Sequence, residues 1–163
     1  MKADDIPTVS TRAEFGAAVL WGFGRAIDNG ARRIICVDRD FADWPLSDAA
    51  LLDRLATWTR EPLRRLVLLA TSYDAIERMH PRFVAWRALR SHAVEPWSPP
   101  EDVGVDLPAV LLDDGAVMVR LLDPVRWRGR AELDARSARL VRDEVDALLQ
   151  RSEAAFAVNR LGL

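Results

Sequence analysis

The chain has 163 residues, half of them hydrophobic and 29% charged, and its formal net charge at pH 7 is -2. This composition predicts one globular domain with a sizeable core and excludes a disordered chain. A slightly acidic chain offers nucleic acid and acidic membranes no overall attraction, so we expect neither to be a partner.

The single cysteine, Cys36, lies in an apolar run. This position predicts a buried thiol, and one cysteine excludes an intrachain disulfide or a zinc site made of several cysteines. The sequence has neither an apolar signal-peptide core nor a run of about 20 apolar residues. We therefore expect a cytoplasmic protein with no membrane partner.

Apolar periodicity divides the chain into four helices and five strands. The third helix is expected to break near His80, because the residue before Pro81 is biased away from helical geometry. The predicted helices cover about residues 12–29, 47–61, 72–91 and 135–151, and the predicted strands cover residues 33–38, 64–71, 92–97, 107–113 and 116–122.

Short polar signals mark the helix ends. Thr11 and Glu14 have the spacing of a capping box, and Gly30 is the expected C-terminal cap of the same helix. Ser47 is predicted to cap the second helix and Asp134 the last one. These caps set the expected bounds of the elements between them.

The order α-β-α-β-α-β-β-β-α predicts a single-domain α/β fold with a mixed sheet between helical layers. Asp113-Asp114-Gly115 between two apolar runs indicates a hairpin, whereas residues 123–133 are predicted to be irregular. We place the domain at residues 10–152, with tails at residues 1–9 and 153–163.

Asp38 and Asp40 follow a predicted core strand, at the edge where α/β sheets usually bind ligands. Haloacid-dehalogenase-type phosphotransferases present a nucleophilic and an acid/base aspartate in this way, assisted by Mg²⁺. Thr71 or Ser72 could supply a hydroxyl, and Asp113-Asp114 could supply metal-binding acids. One hypothesis is therefore a magnesium-dependent phosphotransferase or phosphatase.

Three features oppose that hypothesis. Ala42 stands where such enzymes typically have Thr or Val, no lysine lies between Ser72 and the hairpin, and the hairpin aspartates enter no metal-binding loop. The alternative is that Asp38, Asp40 and Asp43 accept hydrogen bonds from the amides of a turn, which short aspartates do routinely.

Three longer stretches carry an ordered pattern, at residues 37–72, 80–97 and 107–152. Together they resemble a phospholipase D-like domain, and most closely a bacterial branch of that fold that occurs alone or beside GNAT acetyltransferase domains. The resemblance spans about residues 10–152 and implies the fold of that family. Its distinctive pieces are Trp44-Pro45-Leu46, His80-Pro81-Arg82, Ser91-His92, and Asp113-Asp114-Gly115 followed by Gly129.

The catalytic motif of that family is missing. Active members carry His-x-Lys-x4-Asp on the strand that enters such a hairpin, where the histidine attacks phosphorus and the lysine holds a phosphate oxygen. Aligning the motif's aspartate on Asp114 places Leu107 and Ala109 at the histidine and lysine positions. The register one residue earlier retains neither side chain, so the resemblance implies the fold without the phosphodiesterase chemistry.

Arginines surround a tryptophan near the end of the predicted hairpin. Arg120, Arg126, Arg128 and Arg130 lie close in sequence to Trp127. Guanidinium groups beside a stacking aromatic can recognise phosphates, carboxylates or bases, so nucleotide or nucleic-acid binding through residues 126–130 is a further hypothesis. In the structural alternative, these arginines pair with neighbouring acids while Trp127 covers the sheet.

Our principal expectation is a non-catalytic phospholipase D-like domain that acts as a ligand-binding or regulatory module and forms a homodimer. The expected ligand is phosphate-containing or otherwise anionic. We predict no catalytic residue, metal site or cofactor, and we expect His80 and His92 to be structural. The predicted ligand-binding residues are Asp38, Asp40, Arg120, Arg126, Trp127 and Arg128.

Overall fold

The computed structural model describes residues 5–102 and 106–158. Within these residues the chain forms one mixed α/β fold, with five helices and a single sheet of eight strands. The helices are α1 (Arg12–Asp28), α2 (Ala49–Trp58), α3 (Asp74–Met79), α4 (Pro81–Ala88) and α5 (Ala135–Gln150). The strands are β1 (Thr8–Val9), β2 (Arg33–Val37), β3 (Arg65–Leu69), β4 (Val94–Ser98), β5 (Ala109–Asp113), β6 (Val117–Asp123), β7 (Arg128–Leu133) and β8 (Glu153–Ala154).

The sheet has the strand order β1-β7-β6-β5-β2-β3-β4-β8. Strands β2, β3 and β4 are parallel, because a helical connection separates each from the next. Strands β5, β6 and β7 form an antiparallel meander, and β5 joins it to β2. The mixed sheet expected from the sequence is therefore confirmed.

Helices cover both faces of the sheet, as the alternation of buried residues requires. Ile34 and Cys36 of β2 pack with α1 to α4 in one core cluster. Ile35 and Val37 point to the opposite face and pack with Val145 of α5 in a second cluster. Cys36 is fully buried, which confirms the predicted inert position of the thiol.

Most helix ends lie where the sequence placed them. Thr11 accepts a hydrogen bond from the Glu14 amide at 3.1 Å, and Gly30 follows α1 with a φ of +68°, a conformation that favours glycine. Asp134 caps α5 as predicted. The prediction for α2 was wrong, since Asp48 rather than Ser47 accepts the capping bond of that helix.

The predicted order of elements misses three strands. The segment expected to be irregular contains β7, which pairs with β6 over six positions. Strands β1 and β8 lie in the segments assigned to tails, and each pairs with an edge of the sheet over two residues. The helix break at His80 is confirmed, because α3 and α4 meet there.

Among the described residues, no helix is both long enough and apolar enough to cross a membrane.

Candidate functional site

Asp38 directly follows β2, and its carboxylate organises the turn that begins there. Its Oδ2 accepts hydrogen bonds from the amides of Asp40 at 3.1 Å and Phe41 at 2.7 Å. Asp40 Oδ1 accepts a further bond from the Ala42 amide at 3.0 Å. Both carboxylates therefore bond the turn amides, which confirms the structural role considered for them. We call residues 38–44 the Asp38 loop.

The Asp38 loop is fixed from behind by His80. Phe41 is fully buried and has a φ of +60°, which is unfavourable for a residue with a side chain. His80 Nε2 lies 2.9 Å from the Phe41 carbonyl oxygen, and Nδ1 lies 3.0 Å from Ser47 Oγ. Because a carbonyl only accepts, Nε2 carries the hydrogen and Nδ1 faces the Ser47 hydroxyl. The structural role expected for His80 is confirmed.

Burial dominates the electrostatics of Asp38. It raises the pKa of the carboxyl, and hydrogen bonds from the amides of Asp40 and Phe41 oppose it. The Trp44 side chain, acting as a hydrogen-bond donor toward this carboxyl, also lowers the pKa of Asp38. Trp44 Nε1 is buried, and no acceptor in the described chain lies at both the distance and the angle of a well-formed hydrogen bond.

A pocket of about 590 Å³ opens beside the Asp38 loop. It lies where β2 ends, β5 begins and β6 ends, because β5 is antiparallel to both neighbours. We call it the acidic pocket, since four aspartates and two arginines line it together with three aromatic rings. These residues are Asp38, Asp40, Asp43, Asp106, Arg39, Arg120, Phe15, Trp44 and Trp127.

The acids required for phosphoryl transfer are not assembled here. Asp113 pairs with Ile34 at the start of β2, so it lies at the opposite end of the strand from Asp38, about 13 Å away by strand rise. Asp113 Oδ1 instead accepts the amides of Gly115 and Val117. Over residues 5–102 and 106–158, no three His, Cys, Asp or Glu side chains are grouped to hold a metal ion.

The turn between β6 and β7 presents a second surface, which we call the basic hairpin (residues 122–130). Asp123 Oδ1 accepts the amides of Val125 at 3.1 Å and Arg126 at 3.2 Å, and thereby fixes the turn. A β-bulge lies just before this turn, because the register shifts between Leu121 and Asp123. Gly129 is required at this bulge, since a Cβ there would overlap the Arg120 carbonyl oxygen.

Trp127 separates the basic hairpin from the acidic pocket. Its φ is +57°, and its ring packs against Phe15 with a centroid distance of 5.8 Å. This packing turns the indole inward, where it lines the acidic pocket, while Arg126 and Arg128 on either side are exposed. Within the described residues, neither arginine makes an ion pair.

The six predicted ligand-binding residues thus fall into two groups. Asp38, Asp40, Arg120 and Trp127 line the acidic pocket. Arg126 and Arg128 are exposed and do not line it, so this pocket does not contain all six. Trp44 and Asp106 also line the acidic pocket but were not among the predicted ligand-binding residues. Asp106 reaches the pocket because β5, which it precedes, lies antiparallel beside β2.

Comparisons with known proteins show a likeness to a solved structure. The chain is similar to TrmBL2, an archaeal chromatin protein whose structure shows a novel mode of DNA binding, with a TM-score of 0.62 and 13% identity. The match covers 94% of this chain and 56% of TrmBL2, so the chain spans about half the length of that protein. No protein-family model and no curated protein matches the sequence. At this identity the likeness shows the fold alone.

This match contradicts two expectations. A solved structure that shares the fold belongs to a DNA-binding chromatin protein, not to a phospholipase D-like protein, so the non-catalytic phospholipase D-like module is wrong as the account of function. The expectation that nucleic acid is not a partner is contradicted by the same finding. It relied on the net charge of -2, which averages over a surface whose charges are separated. The expected homodimer stays a prediction.

Proposed function

We propose that this protein binds nucleic acid through the basic hairpin. The observation that carries the proposal is that Arg126 and Arg128 are exposed, are without an ion pair among the described residues, and flank a turn of fixed geometry. Guanidinium groups form paired hydrogen bonds with phosphate oxygens, so unpaired arginines on a rigid support suit a phosphate backbone.

The rigidity of the hairpin favours this use. Asp123 holds the turn amides, the bulge at Gly129 sets the direction of the strands, and Trp127 anchors the turn on Phe15. A support that is already ordered loses little conformational entropy when a ligand binds. The arginine side chains therefore provide most of the flexibility at this surface.

Trp127 is poorly placed to stack on bases, because its ring contacts Phe15 and faces the acidic pocket. Contacts from Arg126 and Arg128 to phosphates position a protein on nucleic acid but carry no sequence information. We therefore expect binding with weak sequence preference. Since the whole chain carries a net charge of -2, we also expect modest affinity and strong salt dependence.

The likeness to TrmBL2 supports the proposal independently of the charges, because TrmBL2 is a chromatin protein that binds DNA and the match covers 56% of its length. A cytoplasmic location and the finer assignment to a phospholipase D-like fold stay part of the proposal. The parallel β2-β3-β4 unit beside the β5-β6-β7 meander supports that fold assignment without implying its chemistry.

The test compares two double variants of equal charge change. Arg126→Ala/Arg128→Ala removes the proposed contacts, and Arg78→Ala/Arg82→Ala removes two exposed arginines on α3 and α4. Binding of a short fluorescent duplex is measured by anisotropy between about 50 and about 200 mM salt. We expect roughly tenfold weaker binding for the hairpin variant, since each exposed ionic contact contributes up to about 1 kcal/mol.

The salt dependence gives a second readout of the same experiment. Loss of two phosphate contacts reduces the slope of log K against log salt by about 2 in the hairpin variant. The control variant should keep the wild-type slope and affinity. Equal loss in both variants would assign the binding to net charge rather than to the basic hairpin, and absence of binding by the wild type would reject the function itself.

A further inference from the structure

Helix α5 carries its exposed charges in the order that opposes its own dipole. Arg136 and Arg139 lie in its N-terminal half, whereas Asp143 and Glu144 lie in its C-terminal half, and all four are exposed. After the capping residue Asp134, the first turn contains no acidic residue, and the last turn contains no basic one. Because a helix dipole favours acids near the N-terminus and bases near the C-terminus, this order does not stabilise α5 itself.

The same four side chains are without ionic partners. Among the described residues, none of them forms a salt bridge. Arg139 and Asp143 are four residues apart, but a base that precedes an acid is the less favourable orientation on a helix. These charges therefore stabilise neither α5 nor a neighbouring element to any large extent, and they are accessible to a partner.

This side of α5 borders a groove that contains two exposed leucines. The groove has a volume of about 350 Å³ and lies between α5 and strands β6 and β7. Leu140 of α5 is 63% exposed, Leu122 of β6 is 57% exposed, and both line the groove. Met118 and Val141 line it as well and are largely buried. Exposed leucines that share one groove, rather than lying scattered over the surface, indicate a docking site.

The charge order of α5 is complementary to a second copy of the same helix. Residues 136, 140 and 144 are spaced by four and form one row along the helix. When two antiparallel copies meet at Leu140, Arg136 of one lies opposite Glu144 of the other, and Arg139 approaches Asp143. A twofold axis repeats each of these pairs. A parallel arrangement would instead bring like charges together, so the antiparallel one is favoured.

We propose that the protein forms a twofold-symmetric homodimer in which two α5 helices pack antiparallel, with Leu140 at the axis. Ion pairs between Arg136 and Glu144 flank the axis on both sides, and the groove leucines of each copy cover those of the other. Packed helices lie about 8 to 10 Å apart, a separation that such side chains span. The two arginines proposed to bind nucleic acid do not line the groove, so the dimer does not depend on that function.

The test separates the charges of this helix into two variants. In Arg136→Glu/Arg139→Glu all four positions are acidic, and in Asp143→Arg/Glu144→Arg all four are basic. We expect the wild type to dimerise with a Kd on the order of 0.1 mM, because one helix pair is a small interface. Each variant alone should associate roughly tenfold more weakly or less, and an equimolar mixture should recover association as a heterodimer. Sedimentation equilibrium with one variant fluorescently labelled measures both.

Matched variants distinguish this surface from a general effect of charge or apolar area. Arg78→Glu/Arg82→Glu makes the same charge change on exposed residues of α3 and α4 and should dimerise like the wild type. Leu140→Ser should weaken association roughly tenfold, since it removes an apolar side chain from both copies at the axis. Leu89→Ser, at a position that is 80% exposed and outside the groove, should leave association unchanged.

The proposal is overturned if the wild type stays monomeric up to about 1 mM, ten times the expected Kd. It is also overturned if the mixture of folded charge variants associates no better than either variant alone, or if the control variants lose as much association as the α5 variants. Should a charge variant fail to fold, as judged by circular dichroism, the exposed substitution Leu140→Ser decides, and unchanged dimerisation in that variant rejects the interface.

Discussion

The Asp38 loop and the basic hairpin are built in the same way and carry opposite charges. In each, one aspartate accepts two amides of its turn: Asp38 those of Asp40 and Phe41, and Asp123 those of Val125 and Arg126. Each also places an aromatic residue at positive φ, Phe41 at +60° and Trp127 at +57°, with its ring packed inward.

The difference lies in what the turns leave pointing outward. The Asp38 loop lines a pocket with carboxylates, whereas Arg126 and Arg128 of the basic hairpin are exposed outside that pocket. Trp127 belongs to both regions, since it lines the pocket between two arginines that do not. Residues that are adjacent in sequence, such as Arg126, Trp127 and Arg128, therefore need not belong to the same site.

The largest expected loss of stability comes from a substitution that disrupts the basic hairpin. In Gly129→Ala the new Cβ overlaps the Arg120 carbonyl oxygen and lies 3.1 Å from Leu121 Cα. Because backbone atoms cannot move aside cheaply, we expect a loss of about 3 kcal/mol in the free energy of unfolding. Urea denaturation measures the loss, and duplex binding measured well below the transition should weaken with it.

Gly16→Ala is the matched control for that change. Gly16 lies within α1, and a Cβ there meets no heavy atom within 4 Å. The control should gain up to about 1 kcal/mol, because alanine favours a helix over glycine. Equal behaviour of the two alanine variants would mean that the bulge at Gly129 does not hold the hairpin in its observed form.

A smaller loss of stability is expected when His80, which supports the Asp38 loop, is replaced. His80→Ala leaves the Phe41 carbonyl without its imidazole donor and removes the partner of the Ser47 hydroxyl at a site only 6% exposed. We expect a loss of about 2 kcal/mol in the free energy of unfolding. The other histidine provides the control, since His92 is exposed and His92→Ala should change stability by less than about 0.5 kcal/mol.

The two histidine variants also test what holds the Asp38 loop in its observed conformation. If His80→Ala and His92→Ala are equally stable, the Asp38 loop does not depend on support from α3 and α4. In that case the positive φ of Phe41 would have to be maintained by the Asp38 carboxylate alone.

The smallest effect concerns the pH dependence of stability. Burial raises the pKa of Asp38 above its ordinary value of 3.8, so the folded protein binds this proton more tightly than the unfolded chain. The contribution of Asp38 is therefore fully present below pH 3.8 and is lost as the pH rises through the folded-state pKa. Asp38→Asn cannot ionise and retains an oxygen acceptor for the turn amides.

We accordingly expect the stability of Asp38→Asn relative to the wild type to increase between about pH 4 and about pH 7. Thermal melts of both proteins across this range give the difference. A relative stability that falls with pH would show that hydrogen bonds to the carboxylate, rather than its burial, dominate the pKa of Asp38.

The sequence predicted the elements whose burial pattern is local. Strands β2 and β3 are continuous apolar runs, and Asp113-Asp114-Gly115 identified the β5-β6 hairpin. Strand β7 was missed because its Arg-Gly-Arg start has no apolar alternation, and it forms by pairing with β6 and β1. The two-residue strands β1 and β8 likewise depend on neighbours distant in the sequence.

The candidate site was predictable only in part for the same reason. The position of Asp38 and Asp40 at the end of a core strand follows from the sequence, as does their bonding to turn amides. The burial of Trp44 beside Asp38 depends on long-range packing, and the inward direction of Trp127 depends on its positive φ. Neither has a signal in the local pattern, so the sequence did not show which of the predicted ligand-binding residues share a pocket.

The most direct test of this division by charge is one NMR titration of the wild-type protein with a short DNA duplex. We predict that the backbone amides of residues 122–130 shift, while the Trp44 indole N–H and the amides of residues 38–44 do not. Shifts confined to the Asp38 loop, with the hairpin amides unchanged, would contradict the assignment of nucleic acid to the basic hairpin.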